Sequence, residues 1–268
     1  MNLPFVNELF SLEGSIAVVT GAGSGIGQAA AIALANFGAE VLLLGRTLEK
    51  LKKTENEISK AGGTSKCYKV DISNAEQVRS FFDSFKREYE QLDIFVSNAG
   101  YNVREDALNT TEEEFDGLIN TNLKGAWRCL KYAGEIMKKQ RSGNVVIVTS
   151  INGLHPTPNQ AIYASTKFAL QGLMQSLAAT LAPYGVRVNS CAPGAVLTDL
   201  TKDIFSVKSV YDAKVAGIPL GFIGQPMDIG AVIASMASGA YRFMTGATIL
   251  LDGGESLKSP MKMPDGNE

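Results

Sequence analysis

Residues 16–27 read IAVVTGAGSGIG, a short apolar run that enters a glycine cluster and continues into the alanine-rich stretch 25–37. The run has the pattern of a strand buried on both sides, and the following stretch has the pattern of a helix. Gly21, Gly23, Gly25 and Gly27 leave backbone N–H groups open to close approach, and the helix directs its positive dipole end at the same place. Both features suit a phosphate. The spacing from Gly21 through Gly25 to Gly27 is GxxxGxG, and an ordinary strand-to-helix turn also uses glycine, so the surroundings must carry the reading.

Outward from this turn the alternation repeats. VLLLG (41–45) precedes a helix-like 48–61, CYKV (67–70) precedes 75–90, DIFVS (93–97) precedes 112–138, VVIVTS (145–150) precedes 161–182, and VRVNSCA (186–192) follows. This predicts an α/β fold, a doubly wound parallel sheet with helices on both faces. At 268 residues the chain suits one large domain, and 45% hydrophobic residues suffice for its core. With 25 basic against 27 acidic residues there is no global field for nucleic acid. Cys67, Cys129 and Cys191 are too scattered for a disulfide scaffold or a metal site and read as buried thiols. The start lacks a signal-peptide pattern and no apolar run reaches membrane-spanning length, so a soluble, cytoplasmic protein is expected. Residues 256–268, SLKSPMKMPDGNE, carry no apolar periodicity and read as a flexible tail.

In a dinucleotide fold the end of the second strand, about 20 residues past the turn, holds an Asp or Glu when NAD is bound. Here that position holds Gly45-Arg46-Thr47. Without a carboxylate, and with a guanidinium able to fork onto a 2′-phosphate, the reading favours NADP(H). NAD(H) is the alternative, with Arg46 a solvated loop cation, since no second basic residue occupies the glycine loop.

Tyr163 and Lys167 are four residues apart on a predicted helix and share a face. With 8 Tyr and 25 Lys and Arg, about 0.7 such pairs arise by chance, so the order of the neighbours decides. Asn122 lies upstream, Ser150 ends the apolar run at 145–150, and Pro193-Gly194 follows the next one.

With TGxxxGIG at 20–27, Asn98-Ala99-Gly100, Asn122, Ser150, Tyr163-xxx-Lys167 and Pro193-Gly194 in this order, the sequence resembles a classical member of the short-chain dehydrogenase/reductase family over about residues 13–255. It is most similar to the ketoacyl-carrier-protein-reductase-like and the tropinone- or gluconate-reductase-like branches. Ser97 stands where a first Asn often precedes Asn-Ala-Gly. The resemblance implies a single Rossmann-type domain over 1–255, hydride transfer between NADP(H) and a small-molecule ketone or secondary alcohol, and a homotetramer. It also implies Tyr163 as general acid/base, Lys167 lowering the phenol's pKa and holding the nicotinamide ribose, Ser150 positioning the substrate oxygen, and Asn122 holding the helix and a proton-relaying water. Cofactor contacts are then expected from Gly21, Ser24, Gly25, Ile26, Gly27, Arg46, Thr47, Asp71, Ile72, Asn98, Ala99, Gly100, Tyr163, Lys167, Pro193, Gly194, Val196 and Thr198. Asp71 faces adenine in this scheme.

The stretch 199–217 breaks the strand–helix rhythm, and by the resemblance it forms an apolar cover over the substrate. Ser150, Asn152, His155 and Tyr163 are expected substrate contacts, with 101–104 as further pocket wall. His155 as a plain loop residue and Arg104 as a solvated cation are the alternatives. An NAD(H)-dependent dehydrogenase and a non-catalytic nucleotide-binding scaffold are the rival functions. Enoyl reduction fits less well, because relatives with that activity space their Tyr and Lys further apart.

Overall fold

The computed structural model describes residues 4–257, so most of the expected flexible tail, from 258 on, lies outside the described residues. In chain order the elements are α1 (Pro4–Phe10), β1 (Ile16–Thr20), α2 (Gly25–Asn36), β2 (Glu40–Gly45), α3 (Leu48–Lys60), β3 (Thr64–Lys69), α4 (Ala75–Glu88), β4 (Ile94–Ser97) and α5 (Glu112–Leu118). A π-helix over Ile119–Gly125 leads into α6 (Ala126–Gln140), β5 (Gly143–Val148), α7 (Ala161–Leu181), β6 (Val186–Pro193), α8 (Lys202–Phe205), α9 (Lys208–Ala216), α10 (Pro226–Ala237) and β7 (Thr248–Leu251).

All seven strands join one parallel sheet in the order β3-β2-β1-β4-β5-β6-β7. Successive strand residues face opposite sides, and the core divides accordingly. Ala17, Val19, Leu43 and Val96 pack with α2, α3 and α10, whereas Val18, Leu42, Phe95 and Ile147 pack with α4, α6 and α7. The inner strands β1, β2, β4, β5 and β6 are covered on both sides, which explains their unbroken apolar runs, whereas the edge strand β3 alternates exposed and half-buried residues. The direction of winding reverses between β1 and β4. A crevice therefore opens outside their C-terminal ends, where ligands bind in folds of this kind.

The expected helix over 112–138 is instead three pieces, because the chain takes one wide turn at 119–125. Gly125 packs there so closely that a Cβ would lie 2.9 Å from the Ile72 carbonyl oxygen. The strand expected to end at Ser150 ends at Val148, and Ser150 caps a short 3-10 turn over Ile151–Gly153. α10 and β7 fall outside the sequence reading, because α10 is apolar on most sides where it packs against α2. Cys129 and Cys191 are buried free thiols as expected, but Cys67 on the outer strand β3 is only half-buried. Among the described residues no helix is long and apolar enough to cross a membrane, and no group of His, Cys, Asp or Glu could hold a metal.

Candidate active site

The phosphate turn is held from behind by one hydroxyl. Thr20 Oγ1 accepts from the backbone N–H groups of Asn98 (3.0 Å) and Ala99 (3.1 Å) and donates to the Val96 carbonyl (3.3 Å). The Asn98 amide donates to the Thr20 carbonyl at 3.0 Å, so the C-terminal ends of β1 and β4 are locked together. Gly21 adopts φ +69°, and a Cβ there would meet Asn98 Nδ2 at 2.8 Å. A Cβ on Gly27 would sit 2.2 Å from the Gly21 carbonyl oxygen. Gly27 therefore stands behind the turn and does not line the cleft, in contrast to the expectation of a direct contact.

One cleft of about 1010 Å³ runs along these strand ends. Gly21, Ser24, Gly25, Ile26, Asn98, Ala99 and Gly100 line its middle, with Arg46, Thr47, Asp71 and Ile72 at the β2–β3 end. Arg46 and Thr47 are exposed, and Arg46 joins no ion pair among the described residues. The Asp71 carboxylate accepts from the Ser73 N–H (2.9 Å) and hydroxyl (2.7 Å), which fixes it at the rim. Pro193, Gly194, Val196 and Thr198 form the wall after β6, together with Leu200, Ile204 and Val210 from the segment that carries α8 and α9. Val207, just before α9, and Tyr211 within it do not line the cleft.

At the other end Ser150, Tyr163 and Lys167 converge. Tyr163 is in the first turn of α7 and Lys167 one turn later, with its Nζ 5.6 Å from the Tyr163 ring centre. The same Nζ donates to the Val148 carbonyl at 3.0 Å. Lys167 is 5% exposed, and burial pushes its pKa down to about 8. Burial also raises the pKa of the Tyr163 phenol, while the Ser150 hydroxyl and the Arg104 charge oppose that rise. The three side chains therefore present a proton donor, a hydroxyl partner and a cation that readily sheds its charge.

Asn122, 1% exposed, does not line the cleft. Its Oδ1 accepts from the Tyr101 N–H (3.0 Å) and its Nδ2 donates to the Tyr101 carbonyl (2.8 Å), so it anchors the loop after Gly100 from within the π-helix. Asn152 and His155 both line the substrate end. The Asn152 amide is engaged: its Oδ1 accepts from the Thr157 N–H (3.1 Å) and its Nδ2 donates to Gln160 Oε1 (3.4 Å). Gln160 Oε1 also accepts from Asn102 at 2.5 Å, making a polar wall of Asn102, Asn152, Thr157 and Gln160 beside Tyr163. Gln160 was not legible in the sequence; the only signal was a polar residue three positions before Tyr163. Lys214 and Glu255, which pair across the mouth of the cleft, gave none.

The family model described as Enoyl-(Acyl carrier protein) reductase matches residues 21–256. The 3-oxoacyl-acyl-carrier-protein reductase of Thermotoga maritima is 33% identical over 245 residues, covering 91% of this chain and 98% of the relative. The protein named "Probable NADP-dependent mannitol dehydrogenase" of Yarrowia lipolytica is 34% identical over 253 residues, covering 93% of this chain and 90% of the relative. Among solved structures, a gluconate 5-dehydrogenase from Burkholderia cenocepacia in complex with NADP and tartrate superposes with a TM-score of 0.90. It is 28% identical and covers 95% of this chain and 100% of that one. With a seven-stranded parallel sheet, a glycine turn at its winding reversal and a Ser, Tyr and Lys gathered at one end of the cleft, the chain belongs to the classical short-chain dehydrogenase/reductase family.

Proposed function

We propose that this oxidoreductase interconverts a small-molecule ketone and the secondary alcohol with NADP(H) as cofactor. The observation that carries the reading is a single cleft with the Arg46 guanidinium at one end and Ser150, Tyr163 and Lys167 at the other. The residues present fit the cofactor: Gly21, Gly23 and Gly25 line the cleft at the start of α2 with no side chain between backbone and ligand, and no carboxylate directly follows β2 to meet a 2′-phosphate. When bound, NADPH supplies the hydride for the carbonyl carbon. Tyr163 donates its proton to the carbonyl oxygen, and Ser150 orients that oxygen. The Lys167 ammonium lowers the cost of the tyrosinate left behind. Asn122 acts on these groups indirectly, by fixing the backbone of Tyr101.

The domain spans about 1–255, with 199–217 as the cover over the substrate. The NADP named with the Burkholderia and Yarrowia relatives supports the cofactor assignment, and the four-residue interval from Tyr163 to Lys167 supports carbonyl over enoyl reduction. Phe115, Trp127 and Phe168, large apolar side chains exposed on α5, α6 and α7, support a homo-oligomer and suit a tetramer. Titration with NADPH and NADH, followed by a carbonyl panel, tests the reading. NADPH is expected to bind at least about 10-fold more tightly, with Arg46→Ala removing most of the difference and Tyr163→Phe abolishing turnover. Equal affinities in the parent protein would refute the 2′-phosphate assignment, and undiminished turnover in Tyr163→Phe would refute the proton donor.

A further inference from the structure

The fold supplies a second cation beside Arg46 that the order of the sequence conceals. Lys50 lies one helical turn beyond Arg46, in the first turn of α3, and its stem packs over the phosphate turn. A Cβ on Gly23 would come within 2.9 Å of Lys50 Cβ, so the approach depends on that glycine. Gly23, Ser24, Arg46 and Lys50 all line the cleft. Lys50 Nζ is engaged by a carboxylate from the opposite wall, Asp199 Oδ2 at 3.2 Å, with both side chains about half exposed. Asp199 directly follows Thr198 and opens the 199–217 cover, and its other oxygen lies 3.5 Å from Lys202 Nζ.

We infer that Lys50 is a second ligand of the cofactor's 2′-phosphate and exchanges Asp199 for it on binding. The inference rests on the NADP reading above. An exposed Lys–carboxylate pair is weak, because water screens it and two long side chains must be held in place. A phosphate close to doubly charged, already forked by Arg46, is the stronger partner for the same ammonium. Lys202 remains beside Asp199 after the exchange, so the carboxylate is not left alone. The consequence is a sign difference: removing Lys50 weakens binding of the phosphorylated cofactor, and neutralising its competitor strengthens it.

The test is calorimetric titration of the intact protein with NADPH, NADH and adenosine 2′,5′-bisphosphate, in the parent chain and in Lys50→Met, Arg46→Met, Asp199→Asn and the Lys50→Met/Asp199→Asn double variant. Lys50→Met is expected to weaken NADPH and the bisphosphate about 5–20-fold and NADH less than 2-fold. Asp199→Asn is expected to tighten NADPH about 2–5-fold without affecting NADH, and the gain disappears when Lys50 is also replaced. If Arg46→Met collapses the NADPH preference while Lys50→Met leaves it intact, the role of Lys50 is refuted and the NADP reading stands. If the parent chain shows no preference, the NADP reading itself fails and this inference with it. If Asp199→Asn weakens NADPH, the exchange is refuted.

Discussion

The Lys167 ammonium stands 5.6 Å from the centre of the Tyr163 ring and donates to the Val148 carbonyl at 3.0 Å. One side chain thus joins the last residue of β5 to the first turn of α7, and the phenol is placed by a strand end and a helix start together. Burial acts on the two groups in opposite directions, although the half-buried Tyr163 still faces the cleft. Burial favours the neutral phenol and the neutral amine, so the charge that would assist proton donation is held at a cost.

The pH dependence of carbonyl reduction follows from that cost. With the Lys167 pKa at about 8, its ammonium is present below that pH and lost above it. Second-order rates for NADPH-driven reduction are expected to be level from pH 6 to about 8 and then to fall by close to 10-fold per pH unit. In Lys167→Arg, whose guanidinium keeps its proton, the fall should move upward by more than one pH unit. A pH–rate profile unchanged by this substitution would detach the descent from Lys167.

Stability responds to the same group with a defined sign. In the unfolded chain Lys167 titrates at its ordinary 10.5, and in the fold at about 8. Between these values the unfolded chain binds more protons, so this group makes stability rise with pH from 8 to 10.5, while below 8 its full penalty is present. Lys167→Met removes the penalty but leaves the Val148 carbonyl without its donor. The net expectation at pH 7 is a gain of about 1–2 kcal/mol with turnover lost, and the gain should shrink towards pH 10. Urea unfolding at both pH values measures it, and a variant less stable than the parent at pH 7 contradicts the account.

Gly27→Ala should be severe although the residue does not line the cleft. Its Cβ would press to 2.2 Å on the Gly21 carbonyl oxygen and 2.4 Å on Asn98 Nδ2, where backbone cannot yield cheaply. A loss of about 3 kcal/mol or more in stability is expected, together with nucleotide affinity too weak to measure by calorimetry. Gly172→Ala, on the open side of α7 where nothing lies within 4 Å, is the control: it should leave nucleotide affinity unchanged and raise stability by about 0.5–1 kcal/mol.

Asn122→Ala leaves both backbone groups of Tyr101 without their side-chain partner. A stability loss of about 2–4 kcal/mol is expected. Because Asn122 positions a loop and does not line the cleft, turnover should fall through kcat while NADPH affinity changes less than about 3-fold. A drop in affinity that accounts for the whole loss of activity would place Asn122 among the cofactor contacts.

The parts of this chain that were legible before the structure share a physical reason. Strands buried on both sides write themselves as runs such as VLLLG, a glycine turn is written by the space it needs, and Tyr163 and Lys167 meet because four residues make about one helical turn. What the sequence hid depends on the third dimension. The π-helix at 119–125 widens a turn without changing the apolar pattern around it. Gln160 gains its place from Asn102, 58 positions away, and Lys50 meets Asp199 across 149. Asn122 was recognisable as a residue of interest, but its partner on the backbone of Tyr101 was not, since any residue at 101 offers the same N–H and carbonyl.

The hydroxyl of Thr20 gives the molecule a stiff side and a loose one. The wall bearing the glycine turn and Asn98 is tied by neutral bonds between hydroxyl, amide and carbonyl groups, to which dissolved ions are largely indifferent. The facing wall adds to its backbone hydrogen bonds two ion pairs, Lys50 to Asp199 and Lys214 to Glu255, which tie down its cover segment. Raising the ionic strength therefore slackens one jaw and leaves the other set, so that traffic of small molecules through this crevice should quicken with salt while the seat of the nucleotide keeps its shape.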